Sequence, residues 1–173
     1  LVWGIGVGLW KTKEFNIPET TLYTFSIENF DRPKEEFDYL MQLCHKGFLS
    51  IKDDPRIANI KVNFIGRIHM FPQDVQDAMH SLTEATKNNT PYILNFAMAY
   101  GGRAEIIDAT KKIAEKIKEG KLNVADINED LFAQNLYTAS EPDLIIRTSG
   151  EQRLSGFMLY QGARGAYQPI NKA

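Results

Sequence analysis

Cysteine is almost missing: Cys44 is the only one, which excludes an internal disulfide framework and points to a reducing cytosol. No apolar run approaches the ~20 residues that span a bilayer. An excess of either charge is missing too. Twenty Lys and Arg stand against 22 Asp and Glu, a net charge of −2, which argues against broad charge-driven binding to nucleic acid or anionic membrane. His45, His69 and His80 lack metal-ligand spacing and have no cysteine partners, so packing or exposed roles are expected of them. Ser149-Gly150 is not a G-x-S-x-G elbow, which argues against a serine hydrolase. The opening LVWGIGVGLW has neither the basic flank nor the small-residue cleavage site of a secretory leader. Its Gly4, Gly6 and Gly8 follow no strand, so they do not make a dinucleotide loop. Residue 1 is Leu rather than Met, as in a fragment or a processed chain.

What is present is an ordinary globular mix, 43% hydrophobic and 24% charged over 173 residues, the size of one domain spanning 1–173. Thr20 to Ile27 reads as a strand, rich in β-branched and aromatic residues. Pro33 then opens a helix with Phe37, Leu40, Met41 and Leu43 on its apolar face. Asn59 to Ile68 is a second strand. Pro72 opens a second helix, striped by Val75, Met79, Leu82 and Ala85 or Thr86. Tyr92 to Ala99 is nearly continuous apolar sequence, as expected of a strand covered on both faces. A helix over Glu105 to Lys118 follows, striped by Ile106, Ala109, Ile113 and Ile117 and stopped by Gly120. A shorter helix over Glu129 to Tyr137 precedes a strand over Asp143 to Thr148. This alternation predicts an α/β fold, a mostly parallel central sheet flanked by helices. In such sheets ligands bind beyond the carboxyl ends of the strands. That rule predicts SIENFDRP, AYGGR and RTSGEQRLS along one rim.

Each of these loops carries groups suited to an anion. Ser26, Glu28, Asn29 and Arg32 follow the first strand and offer a hydroxyl, an amide and a guanidinium. Taken alone, turn chemistry explains them slightly better, with Asp31 as the cap of the Pro33 helix. In Tyr100-Gly101-Gly102-Arg103 the glycines permit close backbone approach at a helix N-terminus. Arg103 either adds charge there or braces the loop through Glu105 or another acid. Arg147, Arg153 and Ser155 surround Gly150 and Glu151 just beyond a strand. Two guanidiniums and a hydroxyl so close together suit a diphosphate, through charge-assisted and often bidentate hydrogen bonds.

Read in order, the blocks TLYTFSIENFDRPKEEFDYLMQL, LNFAMAYGGRAEIIDA and PDLIIRTSGEQRLSGFMLYQ resemble the cis-prenyltransferases, the undecaprenyl or polyprenyl diphosphate synthases. FPQDVQDAMHSLTEATKNN resembles the family's spacing helix, and the likeness runs from about Ile17 to Gln161. It implies a transferase of isoprenoid biosynthesis that condenses isopentenyl diphosphate with an allylic diphosphate such as farnesyl diphosphate, forming cis double bonds. It also implies Mg²⁺, a hydrophobic tunnel, a homodimer in the cytoplasm, and peripheral membrane contact for product release. Trans-prenyltransferases carry paired DDxxD motifs, and Asp53-Asp54-Pro55 is not one. Under the resemblance Ser26, Asn29 and Arg32 hold the allylic diphosphate, with Asn29 and Arg32 aiding catalysis. Phe25 and Phe30 pack against the isoprenoid, the family usually having Trp at the second position. Arg147, Arg153 and Ser155 bind isopentenyl diphosphate, with Glu151 supporting the network and Arg103 close by. Gly156 stands where the family has Asn.

The family's opening Asp-Gly-Asn-Gly-Arg-Trp block, its His-x-x-Gly and its C-terminal Trp-Pro-Asp-Phe-like segment have no counterpart here. The missing Asp is the family's main magnesium residue, so the metal ligands are unknown. The expectation is a catalytic core incomplete at both ends, with little activity alone. The competing expectation is a noncatalytic partner subunit of a catalytic homologue.

Overall fold

The computed structural model describes residues 13–147, 153–163 and 165–169. The chain divides between Tyr100 and Gly101 into two compact units. The first is a three-stranded parallel sheet in the order β1-β3-β2, from β1 (Glu19–Ser26), β2 (Ile60–Ile65) and β3 (Tyr92–Tyr100). Helix α1 (Lys34–Lys52) joins β1 to β2, and α2 (Gln73–Thr86) joins β2 to β3. The middle position of β3 explains its apolar sequence: every residue from Leu94 to Tyr100 is buried.

The core lies between the helices and one face of this sheet. Met41, Cys44, Phe48 and Ile51 of α1 meet Val75, Ala78, Met79 and Leu82 of α2 over Val62, Leu94, Phe96 and Met98. Phe48 packs edge-on to Phe64 at 4.8 Å, and Phe64 stacks on Phe96 at 5.4 Å. The stripe on α1 runs two turns further than Phe37–Leu43, and Leu43 itself stands half-buried beside it. On α2 the last buried position is Thr86, not Ala85. Pro33, with extended backbone and no side-chain bond, caps α1 in place of Asp31. The second strand is shorter than Asn59–Ile68 because left-handed residues bound it. Asn59 has φ +70° and Gly66 φ +123°, and a Cβ on Gly66 would stand 2.0 Å from the Met98 carbonyl oxygen.

Polar side chains finish the sheet. Asn95, buried in β3, accepts from Asn63 Nδ2 at 3.0 Å and donates to Glu19 Oε1 and Thr21 Oγ1. On β2, at one border of the sheet among the described residues, the Val62 N–H donates to Thr86 Oγ1 at 3.0 Å. The Ile60 carbonyl accepts from Asn89 Nδ2 at 3.1 Å.

The second unit holds α3 (Gly102–Lys118), α4 (Glu129–Asn135) and a parallel pair, β4 (Leu144–Arg147) with β5 (Ala166–Pro169). Helix α3 starts three residues before Glu105, and its buried stripe is Gly102, Glu105, Ala109 and Ile113. Ile106 and Ile117 flank it, half-buried. Gly120, at φ +70°, follows the helix end as expected. Helix α4 stops at Asn135, two residues short of Tyr137. Strand β4 buries Ile145 and exposes Leu144 and Ile146. Among the described residues its pairing partner is β5, which the sequence did not announce.

Cys44 sits in the core fully enclosed, and burial pushes its thiol up to about 11. At pH 8 roughly one thiol in a thousand is then ionised, against about a quarter of free cysteines. Native protein is expected to leave a disulfide reagent such as dithiobisnitrobenzoate unreacted at pH 8 and to release one equivalent on unfolding. Rapid reaction of the folded chain would contradict this burial.

Candidate active site

In the first unit the loop after β1 is shaped by a bulge. Leu22 pairs with Phe96 and Tyr23 with Ala97, but Phe25 pairs with Met98, so Thr24 is the extra residue. One inserted residue moves Phe25 onto the helix-covered face, where it is 2% exposed. There it packs with Phe30 at 5.1 Å and Phe71 at 5.3 Å, and Phe30 packs with Phe37 at 5.5 Å. Phe25, Phe37, Leu40 and Met41 are core positions in this structure. The open groove of about 420 Å³ in this unit lies elsewhere, lined by Asn63, Phe64, Met79, His80 and neighbours.

The chain turns over a 3-10 segment, Ile27–Asp31, with Ser26 at its head. The Ser26 N–H donates to Asn29 Oδ1 at 2.8 Å. Turn chemistry thus takes the oxygen of Asn29 and leaves its amide nitrogen without a partner among the described residues. Arg32 reaches one turn along α1 to Glu36 as an exposed ion pair. Such a pair is worth little in water and yields readily to a stronger anion. Tyr23, whose hydroxyl donates to the Tyr100 carbonyl at 3.3 Å, has its pKa raised by burial and then by the nearby Glu28.

In the second unit the strand end and the following loop are tied by one guanidinium. Arg147 Nη1 donates to the Arg153 carbonyl and, at 2.7 Å, to Ser155 Oγ. Arg153 and Ser155 are exposed, while Arg147 is half-buried. Arg147 therefore assembles the loop as well as adding charge to it. Glu151, with Thr148, Ser149 and Gly150, lies outside the described residues, as do Gly4, Gly6 and Gly8. Ser155 and Gly156 both have positive φ, +48° and +79°. Gly suits that backbone, and the family's Asn is among the residues that tolerate it best, so the exchange at 156 keeps the turn.

Arg103 does not brace the loop through Glu105. It is exposed, without an ion-pair partner among the described residues. Glu105, 1% exposed, instead accepts from the Tyr137 N–H at 2.9 Å and from Gln161 Nε2 at 3.0 Å. Sequence reasoning missed this Glu105–Gln161 pair. The available signal was a carboxyl at i+3 from Gly102 and i−4 from Ala109, in the register of a buried face. Among the described residues no group of three or more His, Cys, Asp or Glu side chains could hold a metal ion. No described helix is long and apolar enough to cross a membrane.

The two loops fall inside a longer match. The model of the undecaprenyl diphosphate synthases covers residues 9–170. The chain belongs to the undecaprenyl diphosphate synthase family. It is 49% identical over 157 residues to the tritrans,polycis-undecaprenyl-diphosphate synthase (geranylgeranyl-diphosphate specific) of Methanocaldococcus jannaschii, a match covering 87% of this chain and 56% of that protein. With the isoprenyl transferase of Bacillus subtilis it shares 45% over 152 residues, 87% of this chain and 58% of that one. The chain therefore spans a little over half the length of these relatives. Its fold matches lavandulyl diphosphate synthase from Lavandula x intermedia, solved in complex with dimethylallyl diphosphate. The TM-score is 0.85 at 33% identity, over 95% of this chain and 75% of that one. Parallel strands flanked by helices are thus the family's architecture as well as this chain's.

Proposed function

We propose that this chain carries prenyl elongation, condensing isopentenyl diphosphate with an allylic diphosphate into a cis-polyprenyl diphosphate. The observation that carries the reading is the Arg147–Ser155–Arg153 loop. A guanidinium bonded to a hydroxyl and to a neighbouring arginine's carbonyl, at the end of a strand, supports a diphosphate-binding role, since it gathers charge and donors in one loop. In the condensation the allylic C1–O bond breaks while C1 bonds to the terminal methylene carbon of isopentenyl diphosphate. A proton then leaves to form the new double bond, and diphosphate is released. Arg147, Arg153 and Ser155 bind the isopentenyl diphosphate, supported by Glu151, and Arg103 adds charge on the same substrate. Ser26 and the Asn29 amide nitrogen take the allylic diphosphate. Arg32 exchanges Glu36 for it and stabilises the charge that develops on the leaving group. Phe25 and Phe30 supply apolar wall for the isoprenoid once the cluster with Phe37 and Phe71 opens.

The family resemblance implies Mg²⁺. The described residues do not fit a protein-held metal ion, for want of converging ligands, and no step here runs through one. The allylic primer is farnesyl diphosphate or a longer homologue, the M. jannaschii relative being named for geranylgeranyl diphosphate. The setting proposed is a cytoplasmic homodimer that hands its product to a membrane surface, in keeping with a reduced Cys44 and near-neutral charge.

The test is incorporation of radiolabelled isopentenyl diphosphate by the complete protein, with farnesyl and geranylgeranyl diphosphates as alternative primers. Labelled polyprenyl diphosphate is the expected product; no incorporation with either primer rejects the reading. Asn29→Ala is expected to lower kcat by about 10²-fold, with the KM for isopentenyl diphosphate nearly unchanged. A fall in affinity for isopentenyl diphosphate without loss of kcat would reassign that loop.

A further inference from the structure

The loop bearing Arg153 and Ser155 is fastened to the start of α3 where the helix backbone, at Gly102, has no room for a side chain. The Gly102 N–H donates to the Gly156 carbonyl at 2.7 Å. A Cβ on Gly102 would stand 2.6 Å from that oxygen and 2.7 Å from Leu159 Cγ. Both distances lie well inside contact, and one belongs to backbone that has no rotamer to yield. Ser155 and Gly156 form a consecutive left-handed pair, and Met158 adds a third positive φ at +44°. Non-glycine residues keep such backbone only where the surroundings over-determine it. Here Arg147 grips the loop from the strand side and Gly102 from the helix side. Further along the same turn, Gln161 Nε2 donates to Glu105 Oε1 and to the Thr138 carbonyl, both at 3.0 Å. The turn is thus held to α3 at two places, one helical turn apart.

We propose that Gly102 is a positioning residue for isopentenyl diphosphate. Its missing side chain and its N–H set the Ser155–Gly156 backbone, and through it the hydroxyl and guanidinium that meet the diphosphate. The inference rests on the reading of this loop as the isopentenyl diphosphate site. It differs from the expectation that these glycines admit a ligand to the helix end. In this structure the Gly102 N–H, one of the helix's first donors, is already given to the loop.

Gly102→Ala in the complete protein is expected to raise the KM for isopentenyl diphosphate by about tenfold or more. Both kcat and the KM for the allylic primer stay close to the parent's. Gly120→Ala is the control: it strains a glycine at φ +70° beyond the other end of α3, where a Cβ meets nothing within 4 Å. It lowers the melting temperature without moving that KM. Should Gly102→Ala fail to fold, Gly156→Ala decides. Its Cβ is 4.0 Å from the nearest atom, Gly102 N, so it disturbs the left-handed turn and fills no space. A folded Gly102→Ala, or failing that a Gly156→Ala, with parental KM for isopentenyl diphosphate overturns the proposal. Calorimetric titration of parent and Gly102→Ala with inorganic pyrophosphate separates this outcome from failure of the functional reading. Weaker pyrophosphate binding by the variant supports the positioning role even if the parent elongates no chain, and equal binding overturns it.

Discussion

Arg147→Ala is expected to raise the KM for isopentenyl diphosphate by ten- to 150-fold. A charge-assisted hydrogen bond contributes about 1.5–3 kcal/mol, and each ~1.4 kcal/mol is tenfold in affinity. The upper end is expected here because the change acts twice. Under the proposed function it removes a guanidinium from the diphosphate, and it releases the Arg153 carbonyl and Ser155 Oγ that this guanidinium holds. Arg147→Lys restores charge but not two directed N–H bonds from one plane, so it recovers only part of the loss. Steady-state kinetics on the complete protein, with circular dichroism to confirm folding, make the comparison. Parental kinetics in Arg147→Ala would remove the loop from the substrate site.

The largest effect on stability is expected from Phe48→Ala. Phe48 is fully enclosed and touches aromatic rings on two neighbouring strands, Phe64 on β2 and Phe96 on the central β3. Truncating a buried Phe costs about 3–5 kcal/mol through lost transfer energy and the cavity left behind. Native stabilities are only about 5–15 kcal/mol, so the variant is expected to unfold at markedly lower urea concentration. Phe48→Leu, which refills most of the space, loses clearly less. Equal midpoints for Phe48→Ala and the parent would show that the two helices do not pack on the sheet as described.

Strand cores and helix faces were legible because burial on a regular element repeats. Val75, Met79, Leu82 and Thr86 fall on one side of α2 whatever surrounds them, and a strand in the middle of a parallel sheet is covered on both faces and so mostly apolar, Asn95 being the bonded exception. Irregular backbone was not legible. Nothing in TTLYTFS shows that Thr24 is the extra residue which turns Phe25 inward. Strand β5, in GARGAYQPI, has no alternation to read. The candidate loops stood out because polar blocks follow apolar strands, and that is a local pattern. Which groups are spent on one another is not local. Arg147 is bonded to Ser155 eight residues on, and Glu105 takes Gln161 rather than Arg103 two residues before it. Asp31 failed as a cap for a related reason: Pro33, with its fixed φ and no N–H, starts α1 without a side-chain acceptor.

The outer border of β2 has a consequence for how this protein behaves in a crowded solution. A strand at the border of a sheet normally presents a row of unused amides that can recruit another chain into a growing fibril. Here the Thr86 hydroxyl occupies the Val62 N–H while donating to its own helix at the Leu82 carbonyl, and Asn89 occupies the Ile60 carbonyl. An incoming strand would have to displace both before gaining its own bonds. The same two side chains that end α2 and lead into β3 therefore act as a stopper against templated aggregation at this border of the described sheet.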